Sequence, residues 1–266
     1  MSTPLFTDQM GNQICLHQIP PQRIVSLVPS QTELLYDLGL GDKVVGITKF
    51  CVHPQQWFQS KNRVGGTKNF HIDRIEALKP DLIIGNKEEN TKEGIEALQQ
   101  HFPVWMSDIQ TFADALQMIE KVSVLVGKAQ EGKRLLQQIE AAFADLQRFS
   151  LQKERKKVLY LIWQNPFMAV GSETFIDEML TICGFENVLK PQSRYPTLTH
   201  KDLQNLSPEL LLLSSEPYPF KTKHIAALQT LLPHTQIRLV DGELFSWYGS
   251  RLLKAAPYLK KLICSV

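Results

Sequence analysis

The sequence predicts an α/β fold of two similar lobes, each with a mostly parallel sheet, joined by one long helix. Three observations carry this expectation. Short β-branched runs alternate with helical patterns in both halves of the 266-residue chain, the sign of βαβ units. The stretch "HKDLQNLSPELLLLSSE" repeats the plan of "HIDRIEALKPDLIIGNKE" about 130 residues later, a period too long for a solenoid. Between the halves, "KAQEGKRLLQQIEAAFADLQRF" gives 22 residues of unbroken helical pattern, about 33 Å at 1.5 Å per residue. That length suits a strut rather than a crossover.

The elements follow in order. "RIVSLV" after Pro20-Pro21 reads as a strand buried on both faces. In "SQTELLYDLGLG", Ser30 suits the N-cap, Glu33 falls at the third position of a capping box, and Gly39 or Gly41 ends the helix. "KVVGIT" is the next strand. "IDRIEALKPDLIIG" is a short helix closed by Pro80 and leading into a strand. "NTKEGIEALQQHF" is a helix and "PVWMS" an edge strand opened by proline. From Thr111 to about Phe149 two helices are predicted, with apolar residues three and four apart. "KKVLYLIWQN" then restarts the strand pattern, "SETFIDEMLTICGFENVL" is a helix stopped at Gly184, and "HIAALQTLLPHTQIRLVD" mirrors "GIEALQQHFPVWMSD". The expected division is an N-terminal lobe over 1–110, a helical connection over 111–155 and a C-terminal lobe over 156–266.

Composition excludes several function classes. Charged residues are 21% and hydrophobic ones 43%, with a formal charge of +2. That balance favours neither a nucleic-acid surface nor a membrane surface. No window approaches the ~18 apolar residues of a membrane span. The opening "MSTPLFTDQMGNQICLHQIPPQR" has no basic start and no apolar core, so it does not read as a signal peptide. Cys15, Cys51, Cys183 and Cys264 are scattered without a CxxC pair, and read as free thiols.

In open α/β sheets ligands bind beyond the carboxyl ends of the strands. Those ends read "VPSQT", "TKFCVHP" and "GNKEEN" in the first lobe, and "IWQNP", "SSEPYP" and "DGELFSWYG" in the second. If the lobes face each other, the loops bring Phe50, Trp163, Tyr218, Phe245, Trp247 and Tyr248 beside Ser30, Asn86, Glu88, Gln164, Asn165, Glu216 and Arg251. Aromatic walls with a few polar groups suit a sizeable, partly flat organic ligand. The same rings could instead be core. "CVH" places Cys51 and His53 on one side of an extended backbone; they form either half of a metal site or a buried cysteine and a loop histidine. Ser30, His53 and Glu33 could compose a hydrolase triad, but no GxSxG elbow frames Ser30, and capping accounts for Ser30 and Glu33.

"PPQRIVSLVPSQTELLYDLGLGDKVVGIT", "HIDRIEALKPDLIIG" and "GSETFIDEMLTICGFENVL" together resemble the iron-chelate and cobalamin periplasmic-binding family. The resemblance runs from about Thr7 to Leu262, and within the family it is nearest to the vitamin B12-binding members. It implies a class III periplasmic-binding-protein fold of two Rossmann-like lobes on a backbone helix. It also implies a non-catalytic receptor for a metal chelate (cobalamin, haem or a ferric siderophore) held in the cleft between lobes. Pro29, Ser30, Gly66 and Thr67 join the loop residues named above as ligand contacts. No covalent cofactor, no resident metal and a monomer are expected, with an ABC transporter permease as partner. Family members carry one acid per lobe, seven residues before the proline of L-x-P. Asp73 holds that position in the first lobe; in the second it is Lys201, with Asp202 one step on. Thr67 and Pro196 stand where large aromatics would be expected. Location stays open between the periplasm, if a signal was trimmed, and the cytoplasm, if the chain is complete. Two rival functions remain: a tetrapyrrole chelatase using His53 or His200 with Glu216, and a receptor fold repurposed as an intracellular carrier or sensor.

Overall fold

A computed structural model describes residues 5–266. Residues 1–4, which open both the 1–110 lobe and the stretch read for a signal, lie outside the described residues. The chain divides into two compact units. The first comprises residues up to Ile109, Ala113–Ile139 and Tyr248–Arg251; the second comprises Gln110–Phe112, Glu140–Trp247 and Leu252–Val266.

The first unit opens with a hairpin, β1 (Leu5–Thr7) and β2 (Gln13–Cys15), paired antiparallel. There follow β3 (Ile24–Ser26), α1 (Pro29–Asp37), β4 (Val44–Ile47), α2 (Gln55–Ser60) and β5 (Asn62–Arg63). After these come α3 (Ile72–Ala77), β6 (Leu82–Asn86), α4 (Lys92–Gln99), β7 (Val104–Ser107) and α5 (Phe112–Leu125). The sheet order is β5-β4-β3-β6-β7 and every pairing is parallel. Its core joins Val25, Ile83, Val104 and Met106 of the strands and Leu27 just after β3 to Ile75, Ile95 and Leu98 of the helices. The "PVWMS" strand does lie at the sheet edge. The sequence pattern missed what covers that edge. Met106 O accepts the Gln9 N–H at 3.1 Å and the Asp8 carboxylate accepts the Met106 N–H at 3.2 Å, which satisfies backbone groups an open edge would leave bare.

The predicted long helix is α6 (Ala129–Ser150), of 22 residues. Leu135, Ile139, Phe143 and Leu146 are its buried stripe, at the spacing of one helix face. The division between units falls after Ile139, so the helix belongs to both.

The second unit contains β8 (Lys157–Trp163), β9 (Phe167–Ala169), α7 (Phe175–Ile182), β10 (Glu186–Asn187) and β11 (Thr197–Leu198). It continues with α8 (His200–Leu206), β12 (Leu210–Ser214), α9 (Thr222–Leu231), β13 (Gln236–Val240), α10 (Glu243–Ser246) and α11 (Leu252–Ser265). The order is β11-β9-β8-β12-β13, with β10 also on β8. β8, β12 and β13 pair in parallel, as the repeat predicts, and β10, a strand the sequence reading did not include, also pairs in parallel with β8. β9 and β11 add antiparallel pairings, because the chain turns back at Gln164–Pro166 instead of crossing over. Asn165 makes that reversal with a φ of 62°, in the left-handed region that asparagine tolerates. No helix among the described residues is long and apolar enough to cross a membrane.

Candidate functional site

Parallel pairing puts the carboxyl ends of β3, β4, β6 and β7 along one edge of the first sheet. The loop after β3 passes directly into α1. Pro29 is the first helical residue and Val28 the N-cap, without a side-chain cap. The expected Ser30 cap and Ser30–Glu33 capping box are therefore corrected. Proline has no N–H to leave unpaired and its fixed φ suits the first position, so the helix starts one residue before the serine. Ser30 is buried within the first turn. Glu33 pairs instead with Arg251: Arg251 Nε donates to Glu33 Oε2 at 2.6 Å and Nη2 to Oε1 at 3.0 Å.

The loop after β4 turns Phe50 outward, 51% exposed, with the Lys49 ammonium 5.0 Å from its ring centre. Gly66 lies under that ring: a Cβ added there would be 3.3 Å from Phe50 Cε2. Cys51 points inward and is fully buried. Thr32 Oγ1 and Thr48 Oγ1 each lie 3.1 Å from its sulfur. Burial pushes the thiol pKa up, against the lowering effect of those two hydroxyls. His53 is half-buried. Among the described residues no group of three or more His, Cys, Asp or Glu could hold a metal ion.

In the loop after β6, Asn86 organises backbone. Its Oδ1 accepts the N–H groups of Glu88 (2.8 Å) and Glu89 (3.0 Å), and its Nδ2 donates to Ser107 Oγ at 3.0 Å. Asn90 Nδ2 donates to the carbonyl of Thr67 at 2.9 Å, tying this loop to the Gly66–Thr67 turn. Lys68 Nζ donates to the Glu88 carbonyl. Glu89, which sequence reasoning passed over for Glu88, has its carboxyl pKa raised by burial, partly offset by Lys68 and the Thr67 hydroxyl. The acidic pair was visible in "NKEEN"; both acids are half-buried, and which of them has its carboxyl shifted by burial was not visible. Gln31, also missed, is fully buried and donates to Ser107 Oγ at 2.5 Å.

At the carboxyl edge of the second sheet, Trp163 ends β8 and is 38% exposed. It meets Tyr218 edge to face at 5.6 Å, and Tyr218 in turn packs on Phe220 at 4.8 Å. The Tyr218 hydroxyl lies 3.4 Å from His224 Nε2. Glu216 Oε1 accepts from the Trp247 indole at 3.0 Å and from Ser246 Oγ at 2.9 Å. Gln164 is half-buried at the β8–β9 turn, and Asn165 beside it is exposed. Phe245 is wholly buried against Tyr160, ring centres 5.1 Å apart, which places it in the core of this unit. Trp247 and Tyr248 are each 8% exposed, and Tyr248 groups with the first unit. His200 packs against Phe167 at 5.2 Å.

Asp73 is exposed in the first turn of α3. Asp202 occupies a capping box at the start of α8: its Oδ2 accepts from Thr199 N (2.8 Å) and Thr199 Oγ1 (2.7 Å). Those hydrogen bonds hold its carboxyl below the usual range. Lys201 is exposed.

Thiol reactivity checks the burial pattern. Cys15 and Cys264 are exposed, Cys51 and Cys183 buried with raised pKa values. A raised pKa lowers the thiolate fraction, and the thiolate is the reactive form. We expect two of the four thiols to react with a disulfide reagent in the native protein at pH 8, and all four after denaturation. Rapid native reaction of Cys51 would contradict its placement.

A family model described as "Periplasmic binding protein" matches residues 24–230. The ABC transporter substrate-binding lipoprotein YvrC of Bacillus subtilis is 26% identical over 274 residues, covering 98% of this chain and 85% of that protein. The vitamin B12-binding protein of Vibrio campbellii is 28% identical over 197 residues, 73% of this chain and 71% of that protein. Among solved structures, the periplasmic vitamin B12 binding protein BtuF of Vibrio cholerae aligns with a TM-score of 0.81 at 22% identity. It covers 92% of this chain and 98% of its own. The periplasmic heme-binding protein RhuT from Roseiflexus sp. RS-1, in apo form, gives 0.80 at 22% identity, over 92% and 97% of the two chains. At such identity the structural likeness establishes the fold; the family match runs from β3 into α9, and the chain belongs to the periplasmic binding protein family.

Proposed function

We propose that this protein is the solute-binding component of an ABC importer and binds a metal chelate, with a corrinoid of the cobalamin type as its leading ligand. The observation that carries the reading is the pair of outward-turned rings at strand carboxyl ends, Phe50 in the first unit and Trp163 in the second. Large rings cost free energy in water and recover it by covering a flat apolar face. The relatives named for vitamin B12 and haem binding support a flat chelate. The role is binding without chemistry: the Cys51 thiol is buried and Glu216 holds Trp247 and Ser246. No phosphate loop is required, because α1 opens on Pro29 and buried Ser30 and forms a floor for an uncharged face.

The reading includes a location outside the cytoplasmic membrane, which the family and the lipoprotein relative support. It also includes a permease that meets the exposed Asp73. Trp163→Ala tests the ligand wall. We expect cyanocobalamin affinity to weaken by about 1–3 kcal/mol, the size of a buried aromatic contact, with an unchanged melting transition. Unchanged affinity would remove Trp163 from the site.

A further inference from the structure

We infer that Arg251 is a positioning residue: its two-pronged ion pair with Glu33 fixes the Tyr248–Arg251 segment on α1 and thereby sets where the Tyr248 ring lies. The inference rests on the ligand-binding reading above, to which it adds Tyr248 as a ligand contact. The segment's placement stands on geometry alone. Tyr248–Arg251 groups with the first unit, although the residues on either side of it belong to the second. Four residues must therefore be held in register on α1 by contacts of their own. Arg251 supplies one of these, at 2.6 and 3.0 Å, with both side chains under a tenth exposed. Gly249 supplies close approach. Its φ is 119°, and a Cβ there would lie 3.2 Å from Ser30 O and 3.5 Å from Leu34 Cβ.

The arrangement is a poor device for stability. Two charges are taken out of water, and a well-packed apolar pair of similar volume is often as stable or more so. Ser250 Oγ, in the same segment, is buried with no hydrogen-bond partner among the described residues, which adds a further cost. What the guanidinium offers instead is orientation. Its planar fork meets a carboxylate in one geometry, and lysine cannot reproduce that. On the far side of the segment, the Trp247 indole N–H is fixed by Glu216.

The test separates positioning from stability. The full-length double variant Glu33→Leu/Arg251→Met and the single variant Arg251→Lys are compared with wild type by thermal unfolding, amide hydrogen exchange and cyanocobalamin titration. The double variant should melt no lower than wild type, exchange the Tyr248–Arg251 amides at least tenfold faster and bind cyanocobalamin at least tenfold more weakly. Arg251→Lys should stay folded and raise the same exchange rates at least threefold. A folded double variant with wild-type exchange over Tyr248–Arg251 overturns the inference. If the double variant does not fold, wild-type exchange in Arg251→Lys overturns it equally. A wild-type protein that binds no chelate would sink the ligand reading, and the exchange comparison would still decide the positioning.

Discussion

Arg251→Ala is expected to destabilise the protein by about 3–5 kcal/mol, the cost of breaking a buried ion pair by removing one partner. The Glu33 carboxylate it abandons is 5% exposed at the side chain, so water cannot replace the lost fork without opening α1. Glu33→Ala should cost a similar amount, for the converse reason. The two losses are not additive: both truncations break the same ion pair, so the double alanine variant should be little worse than either single one. Urea unfolding of the three variants checks this. Single-variant losses below about 1 kcal/mol, the scale of a solvent-exposed pair, would mean that the ion pair is open to water.

The second large effect concerns the transporter. In the proposed receptor role each unit presents a carboxylate from the helix before its L-x-P turn. Asp73 is exposed and able to do so. In the second unit that position is Lys201, and Asp202 beside it is engaged by Thr199 through both the backbone N–H and the hydroxyl. Freeing Asp202 for docking would give up the α8 cap, a loss of about 1 kcal/mol. If the family's acid meets a cation on the permease, a lysine in its place adds like-charge repulsion of several kcal/mol, with each 1.4 kcal/mol worth tenfold in affinity. We therefore expect weak coupling of the wild-type chain to a cobalamin-type permease in reconstituted vesicles. Lys201→Glu, which leaves the capping box intact, should couple more strongly. Equal uptake with both proteins would show that docking does not use this helix.

Much of the fold was legible because its signals are local. The β-branched runs of β3, β6 and β12, the proline-closed short helices and the 22-residue pattern of α6 each follow from residues adjacent in the chain. The rings of Phe50 and Trp163 could be named because a strand end is itself a local feature. What failed was long-range. "SQTE" and "THKD" carry the same capping spacing, yet only Thr199–Asp202 forms the box. Pro29 moves the first helix start, and Glu33 is claimed by a residue 218 positions away. No periodicity reports such a partner. The cover of β7 by Asp8 and Gln9, and the reversal of β9 on β8, were missed for the same reason: each depends on which strand is free to pair. Burial of Phe245 against Tyr160 and of Cys51 beneath two threonines likewise depends on neighbours distant in sequence or on loop direction, not on residue type.

The central claim is that this chain binds a flat metal chelate through its strand-end rings. The direct measurement is titration of the purified protein with cyanocobalamin, haem and a ferric tricatecholate, followed by tryptophan quenching and confirmed by calorimetry. The account predicts saturable one-to-one binding of cyanocobalamin at micromolar or lower concentration, weakened in Trp163→Ala. Failure of all three chelates to bind, by a protein with a normal melting transition, would contradict it.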